Sequence, residues 1–125
     1  MNYQEFTALI GRRARFESPE VVLRAVRATL ETLAECLPAA EIARISRKLP
    51  REAAMYMERK GSAQHFSVHE FFERVSTRSN IEKPLAVQRT WAVMSVLEQQ
   101  LSLDELSVMR LSLPRQFDRL FECAV

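Results

Sequence analysis

Apolar residues recur along this chain at helical spacing, in four stretches that are then repeated. Tyr3, Phe6, Ile10 and Ala14 mark one face of a first helix. Leu23, Val26, Leu30, Leu33 and Leu37 follow at alternating spacings of three and four on a longer second one. Ile42, Ile45 and Leu49 mark a third, and Ala53, Tyr56 and Met57 a short fourth. The series then restarts with Val68, Phe71, Phe72 and Val75, continues through Val87, Thr90, Met94, Leu97 and Leu101, and closes with Leu106, Met109 and Leu113 before Phe117, Leu120 and Phe121. Each of these faces is predicted to be buried.

The two series are in register. An offset of 65 pairs Glu5 and Phe6 with Glu70 and Phe71, Ile10 with Val75 and Gly11 with Ser76. From Ser18 onward the offset is 64, so the first copy carries one extra residue near Glu17. The same offset brings Leu49-Pro50-Arg51 onto Leu113-Pro114-Arg115. Agreement of apolar positions over four consecutive segments is the mark of a duplicated helical unit. The predicted fold is all-α: two tandem pseudo-symmetric repeats, each of three helices plus a short fourth, packed as one bundle in a single domain spanning 1–125. Repeat one covers 2–58, a linker 59–66 and repeat two 67–122.

Local signals place the helix ends. Asn2 with Glu5, Ser67 with Glu70 and Ser102 with Glu105 each have the spacing of a capping box, and Phe66 with Phe71 that of a hydrophobic staple. Ser18 precedes Pro19, which suits a first helical turn because its missing N–H would be unpaired there anyway. Pro38 stands where the second copy has Ser102. Pro50 and Pro114 cannot continue a helix and push the preceding leucine into extended geometry, so they end the third helix and start the fourth. Gly61 is predicted to stop the first copy.

These segments resemble a known family. A first helix reading "FTALIGRRA" and "FFERVSTRS", a long second helix reading "AVRATLETLAECL" and "TWAVMSVLEQQL", and an acidic-aliphatic helix ending in Leu-Pro before aromatics look like the bacterial domain-of-unknown-function family 2267. The resemblance covers essentially the whole chain and departs most at Trp91 and the polar "EQQ" that follows. It implies an all-helical tandem-repeat fold in a bacterial cytoplasmic protein, and it carries over no catalytic residue.

Composition agrees with the pattern. Two glycines in 125 residues are too few for a protein built on hairpin turns. A chain of this length buries enough surface for a core without staples. The net charge of +2 is not that of a typical nucleic-acid binder, although the first 60 residues hold 11 of the 18 basic and 8 of the 16 acidic side chains. Cys36 and Cys123 lack any CxxC spacing and read as two reduced thiols, one disulfide between them remaining open. The first ten residues are too polar for a signal peptide, and no run reaches the roughly 20 apolar residues of a membrane span. A cytoplasmic location without membrane association is expected.

Candidate chemistry is sparse. His65 and His69 stand four apart, but a cap at Ser67 would leave His65 outside the helix, and no further ligand accompanies them, so no metal or cofactor is predicted. The sequence contains no GxGxxG, GxxxxGK[ST], GxSxG or HExxH, and the carboxylate pairs at helix starts are accounted for by capping. No catalytic residue is assigned and an enzyme is not expected. Two features could meet a partner. One is a basic surface formed by Arg12, Arg13, Arg15, Arg44, Arg47, Lys48 and Arg51, all expected near helix C-termini where the dipole favours cations. The other is Trp91, either an aromatic anchor or a residue packed between helices. The leading expectation is a non-enzymatic protein-protein interaction, scaffold or regulatory module, its partner another protein or a second copy of itself. The alternative is a nucleic-acid-associated regulator using the basic face. Below both stands a small apolar ligand held between the repeats by Phe72, Trp91, Met94 and Phe117.

Overall fold

The computed structural model describes residues 1–59 and 61–121, and no strand occurs among the described residues. Helix α1 spans Tyr3–Gly11, α2 Pro19–Cys36, α3 Ala39–Ser46 and α4 Arg51–Tyr56. Then come α5 at Val68–Ser79, α6 at Lys83–Gln99, α7 at Leu103–Leu111 and a 3₁₀ helix, η1, at Arg115–Leu120. The start of α5 lies 65 residues after that of α1, and α6, α7 and η1 start 64 residues after α2, α3 and α4.

The caps explain the starts. Asn2 Oδ1 accepts from the Glu5 N–H at 2.8 Å, and Ser102 Oγ accepts from the Glu105 N–H at 3.1 Å, each carboxylate returning the bond to its cap N–H. Ser67 accepts from the Glu70 N–H at 3.0 Å, but here the box is only half formed. The Glu70 carboxylate instead takes the Arg74 Nε at 2.9 Å, a charge-assisted bond stronger than one to a backbone amide. The expected staple is also redirected: Phe66 lies 6.2 Å from Phe117, which stands edge-on to Phe71. Pro38, Pro50 and Pro114 each precede a helix without a side-chain cap bond, and Leu37 before Pro38 is extended, as a residue before proline is expected to be.

Packing interleaves the two halves of the chain. Helix α1 rests on α2, α6 and α4, and α5 rests on α6, α2 and η1, so each half's first helix touches both long helices. Phe6, Ile10, Val26, Leu30, Leu33 and Leu37 share one buried cluster with Phe71, Val75, Met94, Leu97, Met109 and Phe117. Each such side chain contributes roughly 1.5–3 kcal/mol on burial, which makes this shared seam the dominant stabilising element.

Some expectations are corrected. Leu23 is 39% exposed rather than buried. Helix α1 has 9 residues and α5 has 12, and Leu23 borders the open groove between α1 and α2. Tyr3, Ala14, Ile42, Val87, Leu101 and Leu106 pack against the core only partly, since they lie at the margins of their stripes. Gly61 does not stop a helix. The fourth helix ends at Tyr56, and Gly61 instead gives the linker a bend at φ 92°, in the region that favours glycine. The linker is held down: Arg59 donates to the carbonyls of Ala34, at 2.7 Å, and Leu37, and Gln64 N–H donates to the Glu35 carbonyl at 2.8 Å. A cation is thus placed on the C-terminal carbonyls of α2, where the dipole favours it.

Two buried hydroxyls lead to a prediction. Thr29 and Thr90 are fully buried and their hydroxyls have no partner among the described residues, whereas Thr32 bonds the Ala28 carbonyl at 2.7 Å. The register pairs Thr29 with Val93 and Thr90 with Val26, so each half already accommodates the methyl group at the matching position. Thr29→Val and Thr90→Val are expected to stabilise the fold by about 1 kcal/mol each, because an unpaired buried hydroxyl is exchanged for an isosteric apolar group. Urea denaturation checks this. A loss of stability in both variants would mean that the hydroxyls are satisfied.

Candidate interaction surfaces

Helix α7 carries the most exposed large apolar residues of the described chain. Leu103 is 83% and Leu111 85% exposed, with Val108 at 40%. Residues 103, 107 and 111 share one helical face, so Leu103 and Leu111 stand on either side of exposed Ser107. Helix α7 rests its other side on η1, through Met109, which is fully buried. The register sets Leu103, Val108 and Leu111 against Ala39, Arg44 and Arg47 of α3, so this face is apolar in the second half and basic or small in the first.

The second surface is a groove of about 900 Å³. One wall is α1, where Tyr3, Thr7 and Gly11 follow one another at four-residue spacing. The other is the first turns of α2, with Pro19, Val22 and Leu23, and Phe16 and Glu17 close one end. Its origin lies in the difference between the halves. Thr7 and Ala8 stand opposite Phe72 and Glu73 of α5, and Phe72 is buried in the core. Where α5 fills the space with a phenyl ring, α1 leaves it open. At Gly11 an added Cβ would lie 3.7 Å from Val22 Cγ2, an ordinary contact, so the absence of a side chain here widens the groove without being sterically required. Tyr3 O–H donates to Tyr56 O–H at 3.4 Å, and burial together with this tyrosine neighbour pushes its ionisation far above the ordinary range.

A buried arginine holds the end of the groove. Arg89 of α6 is 2% exposed, and its Nη2 donates to Glu17 Oε1 at 3.0 Å and Oε2 at 2.8 Å. Its guanidinium carbon sits 5.1 Å from the centre of the Phe16 ring, and its Nε has no partner among the described residues. The loop between α1 and α2 is therefore positioned from the other half of the chain.

The residues singled out from sequence are distributed as follows. Arg12, Arg13 and Arg15 lie just past the end of α1, Arg44 and Arg47 in and after the last turn of α3, and Lys48 in the turn beyond. Arg51 opens α4, a helix start and not the C-terminal position expected, because Pro50 turns the chain into the next helix. Three of the seven are engaged: Arg13 with Ser95 Oγ at 2.9 Å, Arg44 with Glu41 at 3.3 Å and Lys48 with Glu105 at 3.6 Å. Trp91 is half-buried, and its indole N–H donates to the Arg119 carbonyl at 2.6 Å, tying α6 to η1. Phe72, Met94 and Phe117 are buried in the core, and Phe117 also lines a cavity of about 590 Å³ together with Cys36 and Pro38 of the first half. His65 lies in the linker and His69 on α5. Burial pushes the Cys36 thiol up to about 12, and it donates to the Leu33 carbonyl at 3.3 Å. Cys123 lies outside the described residues.

An ionic cluster joins α2 to α5. Glu35 accepts from Arg78 Nη2 at 2.7 Å and from Arg74 Nη1 at 3.2 Å, while Arg78 also donates to Thr32 Oγ1 at 2.7 Å. Burial pushes the Glu35 carboxyl up, but Arg78 and then Arg74 outweigh it and hold the group below its ordinary value of 4.5. A depressed folded value means that this stabilisation is fully present above 4.5 and is lost as the pH falls through the folded value. Glu35→Gln should therefore cost stability at pH 7 and much less at pH 3. Urea midpoints for both proteins across that range test this, and curves with a constant offset would show that the contribution does not depend on the Glu35 charge.

The model of the family described as uncharacterized conserved protein (DUF2267) matches residues 3–120, and the chain belongs to that family. No curated protein matches the sequence. Among the described residues no helix is long and apolar enough to cross a membrane.

Proposed function

We propose that this protein is a non-enzymatic interaction module of a bacterial cytoplasm, built from a duplicated four-helix unit whose halves have diverged on their outer faces. The observation that carries the reading is the α7 stripe. Two leucines more than four-fifths exposed stand at i and i+8 of one helix, on either side of Ser107, and large apolar side chains so exposed on one helical face are what an association surface presents. The repeated helix starts and the reciprocal packing of α1 and α5 support the duplication. In this reading the shared core is a rigid support, and the specific surface lies where the two halves differ.

The test is a quantitative affinity isolation from the native cell with the intact chain and with Leu103→Glu/Leu111→Glu. Stoichiometric recovery of a discrete protein by the first and at least tenfold less by the second is the expected result. Equal recovery by both would place the function elsewhere.

A nucleic-acid role through repeat one is the second reading. It is favoured by Arg12, Arg15, Arg47 and Arg51, which are exposed and without an ion pair among the described residues. It requires a complex that weakens steeply with salt and disappears in Arg12→Glu/Arg13→Glu/Arg44→Glu/Arg47→Glu. The interaction module requires that the same variant keep its protein partner.

A further inference from the structure

The exposed stripe and the open groove are complementary to each other, and neither shares a residue with the other. Along α7, Leu103 and Leu111 are eight residues apart, about 12 Å of helix. Along α1, Tyr3, Thr7 and Gly11 line the groove over the same eight-residue span. Thr7, Ala8 and Gly11 keep that wall low, which lets another helix approach closely, as in helix-in-groove recognition. From these matches we infer that α7 of one copy docks into the α1–α2 groove of a second copy, giving head-to-tail self-association. This rests on the interaction-module reading and names the partner as the chain itself.

Charge favours this arrangement over a symmetric one. The groove is lined by the carboxylates Glu17 and Glu52 and by no cation. Glu17 is held by Arg89, and Glu52 has no ion pair among the described residues. Beside Leu111 lie Arg115, which is exposed, and Arg110, which is 40% exposed, meets Asp118 at 3.7 Å and holds its guanidinium carbon 4.9 Å from the centre of the Phe121 ring. These cations would face Glu52, while Asp104 occupies the opposite edge of the stripe, turned toward solvent. An antiparallel pairing of α7 with its own copy, centred on Ser107, would instead place both Arg110 side chains along one margin and both Asp104 side chains along the other, each pair about 9 Å apart along the axis. Neither Arg110 would then meet a carboxylate of the partner helix on its own margin, whereas the groove offers Glu52.

A patch that fits a different site on the same molecule makes a heterologous contact, which propagates unless it closes into a ring. This gives a test that a symmetric contact cannot imitate. Leu103→Glu/Leu111→Glu removes the stripe from the surface without touching the core. Thr7→Phe/Ala8→Glu fills the groove with the residues that α5 already carries at the matching positions, Phe72 and Glu73. Helical circular dichroism and melting of each variant verify that the fold persists.

In sedimentation velocity over a hundredfold concentration range, the wild-type average mass should rise from one chain to two or more. Each variant alone should stay at one chain mass, and an equimolar mixture should form a dimer and nothing larger, since it holds one intact stripe and one intact groove. Self-association of the groove-filled variant at the wild-type level would overturn the inference in favour of α7–α7 contact. A mixture that stays monomeric, or a wild type that stays monomeric throughout, would overturn it as well. In the last case the interaction-module reading stands if the affinity isolation still recovers a foreign protein through α7, and falls if it does not.

Discussion

Replacing Phe71 by alanine should destabilise the protein by roughly 3–5 kcal/mol, the usual cost of removing a fully buried phenyl ring and leaving a cavity. The ring is wholly inaccessible, stands edge-on to Phe117 at 6.2 Å and to Phe72 at 6.1 Å, and belongs to the helix that touches both long helices and η1. Its counterpart by register is Phe6, equally buried but without an aromatic neighbour at ring-stacking distance among the described residues, on a helix three residues shorter. Phe6→Ala should therefore cost less, because the shorter α1 constrains its cavity less and edge-to-face contacts worth about 0.5–1.5 kcal/mol are not lost. Thermal melts compare the two, and Phe71→Ala should lower Tm by roughly 10 °C or more. Equal losses would mean that the halves share the load evenly despite their different lengths.

The second large effect is an asymmetry. Glu17→Ala should cost about 2–3 kcal/mol, below the usual range for breaking a buried pair because water already reaches the glutamate, whose side chain is 69% exposed. It leaves the Arg89 guanidinium buried at 2% exposure with no counter-charge and its Nε still unpaired. Arg89→Met, by contrast, removes the charge and the unsatisfied donor together and keeps an apolar stem in the same space, so it should lie within about 1 kcal/mol of wild type. Adding Arg89→Met to Glu17→Ala should then restore most of the lost stability. A double variant as unstable as Glu17→Ala alone would show that the buried cation is not the source of the cost. Because Phe16 and Glu17 close one end of the groove, Arg89→Met should also weaken head-to-tail association at unchanged stability.

The pairing of Glu17 with Arg89 also separates what periodicity reveals from what it conceals. In the sequence Glu17 stands near the extra residue of the first half, ahead of the Ser18 cap, and Arg89 carries no local signal at all. Seventy-two positions separate them, and no local pattern joins them. The ring of Phe66 on Phe117 and the bond from Trp91 to Arg119 are of the same kind. Helix starts, by contrast, were legible at Asn2, Ser18 and Ser102, because a cap is a bond between residues three apart. The α7 stripe lay in between. Leu103, Val108 and Leu111 stand opposite Ala39, Arg44 and Arg47 in the register of the two halves, and that difference is legible in the sequence, although whether such a face is exposed is not.

Taken alone, the amino-acid order determined that the chain is helical, where most helices begin and end, and which faces are apolar, because spacing, caps and prolines act within a few residues. It also carried the family membership, since that resides in the same pattern. Only the tertiary structure decided that α1 and α5 each lie across both long helices, that Leu23 stays exposed beside the open groove between α1 and α2, and that Phe72 fills a space which Thr7 leaves open. Those outcomes depend on which surfaces meet and how far each helix reaches, and such contacts are made between residues that the sequence keeps far apart.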